Sequence, residues 1–229
     1  MKAVILTIAT LACGLLLSGC QSPEMALAEA GSYAAAGNHA AAFPLYRQAA
    51  EAGSPEAQLA LGKCYDFGRG VAANPAEAVR WYALAAEAGN ADAQDNLATC
   101  YAEGYGVSKD LAKAFRWYSA SATQGNAFAY NNLGLCYRNG EGVPTDHFKA
   151  TECFMQSAMR GNANGQYNLG RSYFHGLGVP ADIDEKDLER LALSQETVMQ
   201  WLGGEDPLKV ICRAPKIVSL VSRSGRKEK

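Results

Sequence analysis

The chain has 229 residues, with 21 Lys and Arg against 23 Asp and Glu, and its formal charge of −2 removes any general electrostatic case for nucleic-acid binding. Apolar residues make up 48% of it, much of that alanine, as closely packed helices require. No run of about 20 apolar residues follows the N-terminus, so no later membrane-spanning helix is expected.

The first twenty residues stand apart. Lys2 supplies a positive n-region, and residues 3–17 are apolar except for Thr7, Thr10 and Gly14, the organisation of a secretory signal. The stretch ends in Leu17-Ser18-Gly19-Cys20, which resembles the lipobox of bacterial lipoproteins. The resemblance implies removal of residues 1–19 and a diacylglycerol on the Cys20 sulfur. An ordinary signal peptide cut near Gly19, leaving Cys20 a free thiol, is the alternative. Gln21 in place of aspartate implies, by the same resemblance, sorting to the outer membrane, facing the periplasm. Two or more acyl chains would anchor the protein stably, at ~0.8 kcal/mol per buried methylene, with residues 21–24 as a short leash.

Residues 24–36 read as one helix ending at Gly37-Asn38, a cap that with Cys20 and the leash fills residues 20–37. Then a 36-residue period begins. Gly53, Gly89, Gly125 and Gly161 share a column, as do Leu61, Leu97, Leu133 and Leu169, and Tyr65, Tyr101, Tyr137 and Tyr173. Each block closes on Gly-x-Gly-Val, at Gly68, Gly104, Gly140 and Gly176. A fixed period of this length marks stacked repeats, and the better reading is one elongated domain over residues 38–182, divided 38–74, 75–110, 111–146 and 147–182.

Residues 75–110 show how one unit works. Pro75 opens a helix where its missing N–H costs nothing. Ala78, Trp81, Tyr82, Ala85 and Ala86 form its apolar stripe. Gly89 ends it in the left-handed conformation, and Asn90 caps a second helix with Ala93, Leu97, Cys100 and Tyr101 inside. The alanine columns let helices approach closely, at the short end of about 8–10 Å. Tyr46, Tyr82, Tyr118 and Phe154 fill the spaces between. Pro44 falls inside the first helix of its unit and is expected to kink or shorten it.

The joint pattern running from Ala78, Trp81 and Tyr82 through Gly89, Asn90, Leu97 and Tyr101 to Gly104, Gly106 and Val107 resembles the Sel-one-like repeat family, a relative of the tetratricopeptide repeat. The resemblance covers about 145 residues of the 229. It departs at Cys153, where earlier units have Trp81 and Trp117, and at Gly165, where they have alanine. It implies an all-α fold, a right-handed α/α solenoid of four helix pairs with a capping helix at each end. It also implies a scaffold whose partner is another envelope protein or peptide. In related solenoids the first helix of each pair carries binding, which singles out Arg80, Trp81, Arg116 and Trp117. Ordinary solvated surface for the arginines, and core for the tryptophans, is the competing reading.

Beyond the repeats, residues 183–204 read as a capping helix with Leu188, Leu191, Ala192 and Val198 on one face. Residues 205–229 form a basic tail, with seven Lys and Arg and one acid from Pro207 onward. A frayed solvated end is the plain reading of that tail.

The search for chemistry is short. Cys64, Cys100 and Cys136 share a column just before the core tyrosine. Stacked equivalents stand about 10 Å apart, beyond the roughly 7 Å that a disulfide allows. Cys136 and Cys153 sit on adjacent helices where a bond is conceivable, and Cys212 has no evident partner. His39, His147 and His175 make no HxxxH pattern and no CxxC occurs, so neither a metal nor another cofactor is expected. The Gly-x-Gly pairs lack the third glycine and the preceding strand of a dinucleotide loop. Some members of a disulfide-rich branch of the family are linked to β-lactam chemistry, yet the lone Ser-x-x-Lys match, Ser224 to Lys227, lies in the basic tail. The expectation is a lipid-anchored scaffold without catalysis. A β-lactam- or peptidoglycan-processing enzyme and a ligand-sensing regulator are the alternatives.

Overall fold

The computed structural model describes residues 22–179. The expected signal and lipobox with Cys20, the helix expected at 183–204, the tail with Cys212 and Ser224, and the last residues of the fourth repeat lie outside the described residues. Among those described, every regular element is an α-helix of 13 residues: α1 Pro23–Ala35, α2 His39–Glu51, α3 Pro55–Phe67, α4 Pro75–Glu87, α5 Ala91–Glu103, α6 Leu111–Thr123, α7 Ala127–Asn139, α8 His147–Met159 and α9 Ala163–His175. None of these helices is long and apolar enough to cross a membrane. The fold is an all-α repeat solenoid.

Two kinds of connection alternate through the repeats, and local chemistry sets both. The tight one is a Schellman turn. Gly89 N–H donates to Ala86 and Asn90 N–H to Ala85, with Gly89 at φ 93°. Asn90 Oδ1 at once accepts from Ala93 N–H across 2.9 Å, so one residue closes a helix and caps the next. Ser54, Asn126 and Asn162 repeat this double duty. Gly37-Asn38 does so too, which joins α1 to α2 by the turn that joins α2 to α3.

The longer connection follows the second helix of each pair. A first glycine takes the left-handed conformation, as Gly68 does at φ 66°. The second meets a tighter demand: a Cβ on Gly70, Gly142 or Gly178 would overlap the backbone carbonyl of His39, Leu111 or His147. The loop closes when the next cap returns to the tyrosine column, as Asp146 N–H donates to the Tyr137 carbonyl at 2.8 Å. Its carboxylate then accepts from Lys149 N–H, which holds the Asp146 pKa below its ordinary value. These glycines therefore do more than end helices.

Pro44 corrects one arm of the expectation that it kinks or shortens its helix. It lies inside α2, yet α2 keeps the full 13 residues of its counterparts, so the helix is not shortened.

The chain divides into two compact units, Met1–Ala93 and Gln94–Lys229. In the first, α1 packs on α2, α2 on α3 and α3 on α4, around Ala26, Ala49, Ala50, Ala57, Leu61 and Trp81. In the second, Ala98, Ala114, Tyr118, Ala122, Ala129, Leu133, Cys136 and Cys153 form one cluster. Ala150, Phe154, Ala158, Leu169 and Tyr173 form another. Cys136 and Cys153 share the former as free buried thiols, with no bond between them, and burial pushes both up to about 12.

The aromatic column explains a glycine column that repeats beside it. A Cβ on Gly62 would stand 2.6 Å from the Tyr82 ring, and one on Gly134 would stand 2.5 Å from the Phe154 ring. The tyrosine hydroxyls need partners once buried. Tyr82 donates to Asp66 at 3.0 Å, and Tyr118 shares a 3.0 Å bond with Thr99. Phe154 has no hydroxyl, and the position equivalent to Asp66 becomes Arg138, whose guanidinium lies 5.7 Å from the Phe154 ring centroid.

Candidate functional site

Arg138 marks where the repeats stop agreeing. Its column reads Asp66, Ala102, Arg138; that of Arg171 reads Lys63, Thr99, Leu135, Arg171; that of His175 reads Phe67, Glu103, Asn139, His175. Within the second unit these departures converge. The C-terminal turn of α7, the first turn of α8 and the last turns of α9 enclose a cavity lined by Arg138, His147, Ala150, Arg171, Ser172, His175 and Leu177.

Each wall is held by a nameable contact. Leu177 comes in because its carbonyl accepts from Thr151 Oγ1 at 3.0 Å. The close approach of Gly178 to the His147 carbonyl keeps that loop against α8. Ser172 is buried and donates to the Asn168 carbonyl, which turns its oxygen inward rather than to solvent. Arg171 lies 5.7 Å from the Tyr167 ring on its own helix.

Arg138 is the most constrained member. Its Nε donates to Asn139 Oδ1 at 3.3 Å and its Nη1 to Asn168 Oδ1 at 2.9 Å. Asn168 is buried and passes the polarity on, donating through Nδ2 to Asn131 Oδ1 at 2.8 Å. Asn131 donates to Asn132 at 3.3 Å, and Asn132 to Asp95 Oδ1 at 3.0 Å. A chain of side-chain bonds thus runs from a cation on α7 through α9 and α7 to an anion on α5, every donor aimed the same way. Burial lowers the Arg138 pKa first, and the neighbouring Arg171 charge lowers it further, while Glu141 partly offsets both. Two guanidiniums share this cleft, and neither forms an ion pair within 4.0 Å among the described residues.

The residues singled out by the sequence lie elsewhere. Arg80 is exposed, bonded to Glu77 at 3.3 Å and lying 5.3 Å from the Trp81 ring centroid. Trp81 itself is 7% exposed, part of the first unit's core, with its Nε1 lacking a hydrogen-bond partner among the described residues. Arg116 is exposed and Trp117 half-buried against the core of the second unit. The arginines are therefore surface, and the Trp81 indole is packing. No described group of three or more His, Cys, Asp or Glu is placed to hold a metal.

Sequence reasoning missed the asparagine chain because its partners lie 37 residues apart, one more than the period. It passed over Arg138 and Arg171 because it examined columns that repeat. The one available signal was the change of residue type at those positions.

The Sel1 repeat family model matches residues 25–54, 55–90, 91–126, 127–162 and 163–185, most of the described chain. Among solved structures, a Sel1 repeat protein from Oxalobacter formigenes is similar at 28% identity and TM-score 0.69, over 90% of this chain and 88% of that one. A protective antigen present in uropathogenic Escherichia coli strains, displaying an SLR fold, is 31% identical at TM-score 0.67, over 89% of this chain but 47% of its own. A putative Sel1 repeat protein from Klebsiella pneumoniae, at 22% identity and TM-score 0.52, shares the fold. A leucine–tRNA ligase of Bifidobacterium adolescentis is 60% identical over 40 residues only, 18% of this chain and 4% of that protein's length.

Proposed function

We propose that this chain, which belongs to the Sel1 repeat family, is a lipid-anchored scaffold that holds another envelope protein or peptide on the periplasmic face of a bacterial outer membrane. Sel1 repeat proteins act as scaffolds for protein–protein interaction. The observation that carries the reading is where sequence is spent. The repeated columns go into turns and cores, while many of the positions that differ between repeats, Arg80, Arg116, Arg138 and Arg171 among them, lie on helix faces and in the cleft of the second unit. A repeat array of that kind offers preformed grooves to a helix or an extended peptide.

The location rests on the apolar leader and the lipobox ending at Cys20, with Gln21 favouring the outer membrane. Catalysis has no part in this reading. The scaffold itself is tested by placing a photo-crosslinking residue at exposed Arg80 and Arg116 in living cells. A discrete adduct of one size is expected from at least one of these positions. Absence of any adduct there, and at the other exposed first-helix positions, would remove the scaffold reading.

A further inference from the structure

The cleft in the second unit holds two guanidiniums, two imidazoles and a buried hydroxyl already committed to the Asn168 carbonyl, and among the described residues no acidic side chain lines it. Like charges brought together at a half-buried site repel, and proteins normally offset that with a carboxylate. Among the described residues only Glu141 and Tyr167 push the other way at Arg138, each by less than Arg171 does. The guanidinium is also fixed in advance. Asn139 and Asn168 hold it at Nε and Nη1, leaving Nη2 and the second Nη1 hydrogen without partners among the described residues. Arg171 has its ring contact with Tyr167 and no hydrogen bond to a described residue.

We propose that this cleft is a carboxylate-binding site, filled by an acidic side chain of a peptide. The proposal rests on the scaffold reading and deepens it, by naming the chemistry of what is held.

The cavity leaves about 30 Å³ to the centre of a water-sized group, more than the roughly 10–15 Å³ that one such group needs, so a carboxylate can enter from its open side. Arginine donates a parallel pair of N–H bonds that matches a carboxylate's two oxygens. Each imidazole keeps at least one N–H donor in either protonation state. Ala150 and Leu177 close the apolar side. The arrangement belongs to this repeat alone among those described, because Asp66 and Ala102 occupy the Arg138 column elsewhere.

Two sources can supply the carboxylate. One is a partner peptide. The other is this chain's own acidic run of Asp182, Asp184, Glu185, Asp187 and Glu189, which begins three residues after Val179. Three residues reach at most about 10 Å when extended.

The test uses the full-length protein in detergent and a fluorescein-labelled acetyl-Asp-Glu-Asp-Glu-amide peptide, read by anisotropy. Its Asn-Gln counterpart is the control. Saturable binding of the acidic peptide alone is expected, weakened at least tenfold by Arg171→Gln and by Arg138→Gln. Arg171→Gln should leave the thermal midpoint within about 2 °C, since that side chain anchors nothing described. Neutralising Asp182, Asp184 and Glu185 to amides separates the sources. Tighter peptide binding in that variant means the chain fills its own site, and unchanged binding means the site stands open to a partner; either supports a carboxylate site. Binding within twofold of the parent in both arginine variants, in both backgrounds, overturns it, as does no saturable binding in either background. Crosslinked adducts at Arg80 or Arg116 persisting after such a failure would leave the scaffold reading standing.

Discussion

Asn168 Nδ2 donates to Asn131 Oδ1 across 2.8 Å in a buried setting, while Asn168 Oδ1 receives Arg138. One amide thus joins α7 to α9 with both ends engaged. Asn168→Ala leaves the Asn131 oxygen buried without its partner and Arg138 Nη1 without its acceptor. A loss of about 1–3 kcal/mol is expected in denaturant unfolding, the range for orphaned buried polar groups. The same substitution at Asn139, an exposed residue, should cost far less.

Two helical glycines should respond with opposite sign. Gly134→Ala drives a methyl into the Phe154 ring, which is fully buried and has nowhere to turn. Overpacking of this kind costs about 1–3 kcal/mol. Gly170 occupies the equivalent position in α9, with nothing among the described residues within 4 Å of an added Cβ. Gly170→Ala should therefore stabilise by about 0.5–1 kcal/mol, from the gain in helix propensity. Chemical denaturation of both variants checks the pair, and a shared sign would refute the account of the column.

The turn glycines separate by what surrounds them. Gly161 has φ 82° with no described atom within 4 Å of an added Cβ, so alanine there meets the left-handed conformation alone, about 1–2 kcal/mol. Gly142 has φ 72° and also faces the Leu111 carbonyl, where an added Cβ overlaps backbone. Gly142→Ala should lower the thermal midpoint clearly more than Gly161→Ala.

The buried thiols make a pH prediction. Burial pushes Cys136 and Cys153 up to about 12, and the carboxylates of Glu141 and Glu152 respectively add to it. A raised folded-state value means the native protein holds protons that the unfolded chain releases first. The contribution to stability is therefore complete below pH 9, the ordinary thiol value, and is lost as pH rises from there toward 12. Unfolding midpoints should fall across that window, and less steeply in Cys136→Ala and Cys153→Ala. At pH 8 iodoacetamide should leave both thiols unmodified in the native state and alkylate them in urea.

Membrane attachment is the remaining expectation. Cys20→Ala should move the protein from the membrane fraction to the soluble periplasmic fraction and remove the acyl mass. Retention on membranes with unchanged mass would defeat lipid anchoring at that residue.

Much of the form was legible before any coordinates. Pro75, Gly89 and Asn90 announce a helix, its end and the next cap, and each acts where the spacing places it. Trp81 was ambiguous between surface and core, because a stripe at helical spacing does not say how deep the neighbouring helix sits. Pro44 does not shorten α2, because propensity weighs less than the packing of α2 between α1 and α3. The turn at Gly37-Asn38 escaped the period, since it stands 16 residues before Gly53 rather than 36.

What the sequence determines by itself is local: helix lengths, turns, caps and the columns that face inward. These follow from dihedral preference, hydrogen bonds a few residues apart, and hydrophobic period. What the tertiary structure decides is pairing between helices. Arg138 and Arg171 lie 33 residues apart and share a cleft only because α7, α8 and α9 stack with one register. Asn131 meets Asn168 one residue off the repeat for the same reason. Contacts between helices depend on the rotation and offset of each helix against its neighbour, and no periodicity along one chain encodes those angles directly.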